Sequence, residues 1–123
     1  MITGIACFTY AVADMVRARA FYEGVLGLQP SPDLRGEWLE YDLGAATFAI
    51  TTIDIGRPPG AKGGLVAFEV DDLDQTVAAL RAAGVPFVFD ICESPICRLA
   101  MVTDPDGNEI VIHKCKAASC STN

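Results

Sequence analysis

His113 is the single histidine of a 123-residue chain. Histidine is the one side-chain type able to change charge close to neutral pH, so this position is the first candidate for proton transfer. Read as a strand, the run 109–113 puts Glu109, Val111 and His113 on one face by parity alone. There His113 would act as a general base or hydrogen-bond donor, or serve as an ordinary polar residue making one bond. Two carboxylates are possible partners. Glu69 closes the run 65–69 with the parity of Leu65 and Ala67, so it either faces a concavity or stands at its mouth in water. Glu109 follows a turn directly, which favours a solvated role. A meeting of either carboxylate with His113 would make a proton-transfer pair, and Glu69 with His113 is the pair assigned here.

Other side chains could hold a ligand. Core packing is the default for Trp38, Tyr41, Phe48, Phe87 and Phe89, which also offer aromatic surface to line a cavity. Alternation points Trp38 away from Leu39 and Tyr41. Arg98 could pair with an anionic ligand or form a surface ion pair. The five cysteines, Cys7, Cys92, Cys97, Cys115 and Cys120, are an odd number and read as reduced thiols. A hairpin turn at Asp106-Gly107 would bring Cys97 level with Cys115, so a zinc site or redox pair is conceivable. The four-residue gaps of Cys92/Cys97 and Cys115/Cys120 lack the close spacing of thiolate knuckles. Cys7 reads as a small buried hydrophobe or a soft-metal ligand.

These residues sit on a repeat. Shifted by about 58 positions, the run 8–15 overlies 66–73, a strand pattern leading into an acidic helix cap in both copies. Asp14 caps a helix to about Leu26 with Met15, Ala18, Tyr22 and Val25 on its inner stripe. Asp72, helped by Gln75, caps a second with Leu73, Val77, Leu80 and Ala83, stopped by Gly84 and Pro86. Phe8, Tyr10 and Val12 should pack under the first helix, leaving Ile5, Cys7 and Thr9 on a smaller, partly polar face. In the second copy Val66, Phe68 and Val70 pack, and Leu65, Ala67 and Glu69 face the other way. Further strands are expected over 36–43, 45–52, 87–91, 97–103 and 109–113. Residues 104–108 form a turn, and the Gly/Pro-rich segment 56–63 links module one (1–55) to module two (64–116). The small polar residues 117–123 should fray.

Composition bounds what such a protein can do. With 51% hydrophobic and 20% charged residues the chain reads as one compact soluble domain. A net charge of −7 and a pI near 4.4 repel polyanions, which argues against nucleic acid. No run approaches the roughly 18 apolar residues of a membrane span, and the N-terminus has no basic, then apolar, leader pattern. A cytoplasmic protein without membrane partners is expected.

The duplicated strand-helix-strands unit, the helix end at Phe21, Tyr22, Val25, Leu26, Gly27 and Leu28, and the turn from Asp104 through Asn108 before the last strand together resemble the vicinal oxygen chelate superfamily. That superfamily includes glyoxalase I, extradiol dioxygenases, and fosfomycin and bleomycin resistance proteins. The resemblance implies an α+β fold of two βαβββ modules forming curved half-barrels around a cleft, often in a homodimer. It also implies a divalent metal in many members, held by His on the first strand of a module and Glu on the last. Here those positions are Cys7, Leu65 and Val111, so no metal cofactor is expected at them. The implied function is binding or sequestering of an undetermined small molecule, with Cys7, Thr9, Trp38, Tyr41, Phe48, Arg98 and Val111 as ligand contacts. The alternative is a lyase, isomerase or dioxygenase-like enzyme using His113 with Glu69, or an atypical metal site. A filled cleft would instead mark a protein-interaction module.

Overall fold

Asp14 and Asp72 cap helices as the repeat predicts. In the computed structural model, which describes Met1, Thr3 and residues 5–32 and 36–116, each Asp adopts extended backbone. Each side chain accepts a hydrogen bond three residues on, from Arg17 N at 3.1 Å and Gln75 N at 3.0 Å. The tail 117–123 lies outside the described residues.

The chain divides into two compact units. The first is Met1–Ala61 with Pro105–Asn108; the second is Lys62–Asp104 with the chain from Glu109 on. The turn that the sequence assigns to module two thus has its core in the first unit. Its side chains explain this: Asp106 accepts from Ala13 N at 3.2 Å and pairs with Arg17 at 2.7 Å, and Asn108 Nδ2 donates to Ala11 O at 3.0 Å.

In the first unit β1 (Phe8–Ala11) leads into α1 (Met15–Arg19), which widens into a π-helical turn over Ala20–Val25. Neighbours on an α-helix stand about 100° apart, and here two adjacent large residues, Phe21 and Tyr22, are both buried. The helix is followed by β2 (Trp38–Asp42) and β3 (Thr47–Thr51), giving the order β1-β3-β2 with β1 and β3 parallel. A bridge from Pro30 to Tyr41 occupies the outer edge, where proline lacks the N–H a longer ladder needs.

In the second unit β4 (Val66–Glu69), α2 (Leu73–Ala82), β5 (Phe87–Glu93), β6 (Cys97–Thr103) and β7 (Glu109–Cys115) form a sheet of order β4-β7-β6-β5. The two sheets therefore share one plan, with the Pro30 bridge standing where β5 stands in the second. β1 and β4 begin 58 residues apart, at Phe8 and Val66, as the sequence overlay has it.

The cores differ in chemistry. Phe48 packs against Tyr22 with ring centres 5.2 Å apart, against Tyr41 at 6.3 Å and edge-on to Tyr10 at 5.7 Å. The second core is aliphatic, built from Leu73, Val77, Leu80, Val102, Ile110 and Ile112. Two packing expectations are corrected: Phe8 stays 46% exposed at the strand start, and Ala83 is exposed at the helix end. Among the described residues no helix is long and apolar enough to cross a membrane.

Candidate functional site

Strand pairing settles which predicted site residues meet. β4 and β7 run parallel with Ala67 opposite Val111 and Glu69 opposite His113, so these four share one face of the sheet. Glu69 and His113 touch: Oε1 lies 2.6 Å from Nδ1. The second carboxylate oxygen accepts the Cys115 backbone N–H at 2.9 Å. Burial pushes the Glu69 carboxyl up, but that N–H and the His113 ring outweigh it and hold the group below the usual carboxylate range. Both side chains keep access to solvent, with 43% of Glu69 and 28% of His113 exposed. Glu109, the other candidate partner, pairs with Lys62 at 3.0 Å instead.

The sequence reading ends the last strand at His113, whereas β7 continues to Cys115. This places a third donor beside the pair. Cys115 Sγ lies 3.9 Å from Glu69 Oε1, and the donor atoms of Glu69, His113 and Cys115 all fall within 4.8 Å of one another. The signal was present in the sequence, since Cys115 has the parity of His113; the missing knowledge was how far the strand runs. Across β6 the face continues with Cys97, Leu99 and Met101, opposite Cys115, His113 and Val111. A register shift in β5 sets Phe89 opposite Met101, while Phe87 lies under the Arg81 guanidinium at 4.3 Å.

Several proposed ligand contacts are corrected. Tyr41 and Phe48 are 0% and 1% exposed, with no surface left for a ligand. They belong to the aromatic core, and the Tyr41 hydroxyl donates to Glu23 at 2.9 Å. Burial first, then this bond to Glu23, raises the phenol well above its ordinary range. Arg98 forms a two-pronged pair with Asp74, both contacts at 3.1 Å, and its register partner is Lys114 rather than His113.

Cys7, Thr9, Trp38 and Val111 remain on the faces away from the helices. Cys7 Sγ lies 3.4 Å from Thr9 Oγ1, and Trp38 Nε1 donates to Glu40 at 2.9 Å. In register, Thr9 stands opposite Ala49 and Trp38 opposite Thr51, so small residues of β3 lie between them. Where β1 and β3 end, a cavity of about 490 Å³ opens, lined by Ala11, Val12, Thr51 and the segment 52–59 without Ile55. Sequence reasoning did not find this cavity, because a linker of glycines and prolines carries no sign that it wraps a space. It is held in place by Asn108 Oδ1, which accepts from Gly60 N at 3.0 Å. A side chain at Gly60, whose φ is +81°, would collide with the Asp106 carbonyl.

At the positions where the resemblance implies metal ligands stand Cys7, Leu65 and Val111. Leu65 is half exposed and Val111 buried, and neither has a lone pair to donate, so the residues present do not fit the family's usual ion.

Two helix-covered sheets built on one repeated plan define a paired-module α+β protein. The family model for the Glyoxalase/Bleomycin resistance protein/Dioxygenase superfamily matches residues 4–112, and the chain belongs to that superfamily. Among solved structures it is similar to TnmS3, an antibiotic binding protein from Streptomyces sp. CB03234. Identity is 28%, with 94% of this chain and 98% of that one covered and a TM-score of 0.80. A glyoxalase/bleomycin resistance protein from the same Streptomyces strain is 30% identical, with 87% and 96% covered and a TM-score of 0.73. The lactoylglutathione lyase of Agrobacterium tumefaciens shares the fold at 23% identity, with 93% and 95% covered and a TM-score of 0.70. None of the curated proteins matches the sequence.

Proposed function

We propose that this protein binds and sequesters a small, flat, largely apolar molecule of the antibiotic type, without the divalent ion that many of its relatives use. The observation that carries this reading is that Leu65 and Val111 stand at two of the positions where the resemblance implies metal ligands, and neither has a donor atom. The similarity to TnmS3, an antibiotic binding protein, supports the ligand class. Cys7, Thr9 and Trp38 of the first unit are the proposed contacts, with Trp38 supplying aromatic surface. The reading has the protein act as a cytoplasmic homodimer, which light scattering after size-exclusion chromatography tests.

Trp38 is the only tryptophan, so its fluorescence reports ligand entry directly. Titration with a panel of polycyclic aromatic antibiotics should give saturable quenching with calorimetric binding of the same compounds. Binding should survive treatment with a metal chelator. The absence of calorimetric binding across the panel, or its loss on chelation, would overturn the proposal.

One contact favours a second reading, catalysis. Glu69 and His113 at 2.6 Å form a carboxylate–imidazole pair suited to moving a proton, as a lyase, isomerase or dioxygenase-like enzyme requires. His113→Ala separates the two readings: ligand capture predicts affinity changed modestly, whereas proton transfer predicts a large loss of rate with binding retained.

A further inference from the structure

Glu69, His113 and Cys115 bring a carboxylate, an imidazole and a thiol to one spot on the second sheet, and their arrangement has the marks of a ligand set. His113 and Cys115 are two residues apart on the same face of β7, and Glu69 is the register partner of His113. Backbone pairing thus fixes all three origins. One oxygen of Glu69 is tied to the Cys115 N–H at 2.9 Å, which orients the carboxylate as outer hydrogen bonds orient metal ligands. The other oxygen is left facing both His113 Nδ1, at 2.6 Å, and Cys115 Sγ, at 3.9 Å.

We propose that Glu69 Oε1, His113 Nδ1 and Cys115 Sγ bind a divalent cation of the zinc class, with a fourth coordination position left open. Bonds of about 2.0–2.3 Å in a tetrahedron set ligand atoms roughly 3.3–3.7 Å apart. The oxygen–sulfur distance of 3.9 Å is already close to this, and the oxygen–nitrogen distance of 2.6 Å needs to open by less than about 1 Å once the shared proton leaves. Thiolate with imidazole selects zinc, cobalt and similar ions over magnesium or calcium, which take oxygen ligands. The site is new to this chain's pattern: it lies four residues past Leu65 on the first strand of its module and two past Val111 on the last. It is independent of ligand capture beside Trp38, which has its own fluorescence readout, so failure of either leaves the other standing.

The test is titration of the reduced, full-length protein with Co²⁺ and then Zn²⁺, followed by absorbance and calorimetry. One equivalent of Co²⁺ should bind with a thiolate-to-cobalt charge-transfer band in the near ultraviolet, and Zn²⁺ should displace it. Cys115→Ser should abolish that band. Glu69→Gln and His113→Gln should each weaken binding by more than about tenfold, and Cys92→Ser should leave Co²⁺ binding unchanged. An undiminished band in Cys115→Ser, or unchanged affinity in His113→Gln, would overturn the proposal. Should a variant fail to fold, the wild-type protein decides the matter. Paramagnetic broadening of amide signals by Co²⁺ centred on β4 and β7 supports the site, and broadening centred elsewhere, or none, overturns it.

Discussion

One register position distinguishes the two units. In the first, Ala11 stands opposite Thr51; in the second, Glu69 stands opposite His113. The backbone is the same at both places: Val12 N donates to Thr51 O and Val70 N to His113 O, each at 2.9 Å. The side chains take opposite courses. Thr51 turns its hydroxyl to local backbone, donating to Glu37 O at 2.6 Å and accepting from Ile53 N at 3.0 Å, and with Ala11 it leaves a cavity. At the equivalent place Glu69 and His113 make a hydrogen bond of 2.6 Å. A duplicated fold therefore supplies the same address twice, and residue size and polarity decide whether it holds a cavity or a carboxylate–imidazole contact.

The largest test of this contrast lies in the cores beneath the two faces. Phe48→Ala should cost about 3–5 kcal/mol and Leu80→Ala about 2–5 kcal/mol, because each leaves a cavity the surroundings only partly fill. Urea unfolding measures both. A loss for Phe48→Ala well below that for Leu80→Ala would break the claim that the aromatic cluster anchors the first unit.

Asn108 comes next, since it ties the end of β1 to the Gly/Pro-rich segment, donating to Ala11 O and accepting from Gly60 N. Asn108→Ala strands a buried carbonyl and should cost about 1–3 kcal/mol. It should also weaken ligand quenching of Trp38 while leaving the amide signals of Glu69 and His113 in place. Movement of both sets of signals would show that the two addresses are not separate.

The helix caps sharpen the likeness rather than the difference. Asp14→Ala and Asp72→Ala should each cost about 1 kcal/mol in thermal unfolding, because each removes one equivalent bond. Unequal losses would show that the repeat preserves the cap's geometry but not its energetic role.

The smallest expected effect is one of pH. Glu23 in the first unit is held below the carboxylate range, by Arg19 above all, and Glu69 in the second by Cys115 N–H and His113 against the opposing effect of burial. A carboxyl with a lowered folded-state pKa stabilises the fold above its unfolded-state value, and this contribution fades as pH falls through the folded-state value. Glu23→Gln and Glu69→Gln should therefore each flatten the loss of stability between neutral pH and about pH 3, with little change in slope above pH 6. Stability midpoints across that range check it, and an unchanged acid limb in Glu69→Gln would remove the electrostatic account of the pair.

Much of this was legible in the residues. The 58-residue shift, both caps and the strand 97–103 follow from local pattern. Tyr41 and Phe48 kept two readings, core and ligand contact, because period-two alternation assigns a face without saying whether a helix or a ligand covers it. Arg98 found Asp74 for the same reason: their separation along the chain leaves no local trace.

What the sequence determined by itself is local: helix ends, strand parity, and a plan stated twice. Those depend on interactions over three or four residues, which the chain carries wherever it goes. The meeting of Glu69 with His113 and Cys115, the burial of the aromatic cluster and the cavity under Asn108 were decided only by tertiary structure. Each joins segments far apart in the chain, and their register is set when each sheet buries its apolar face under its own helix.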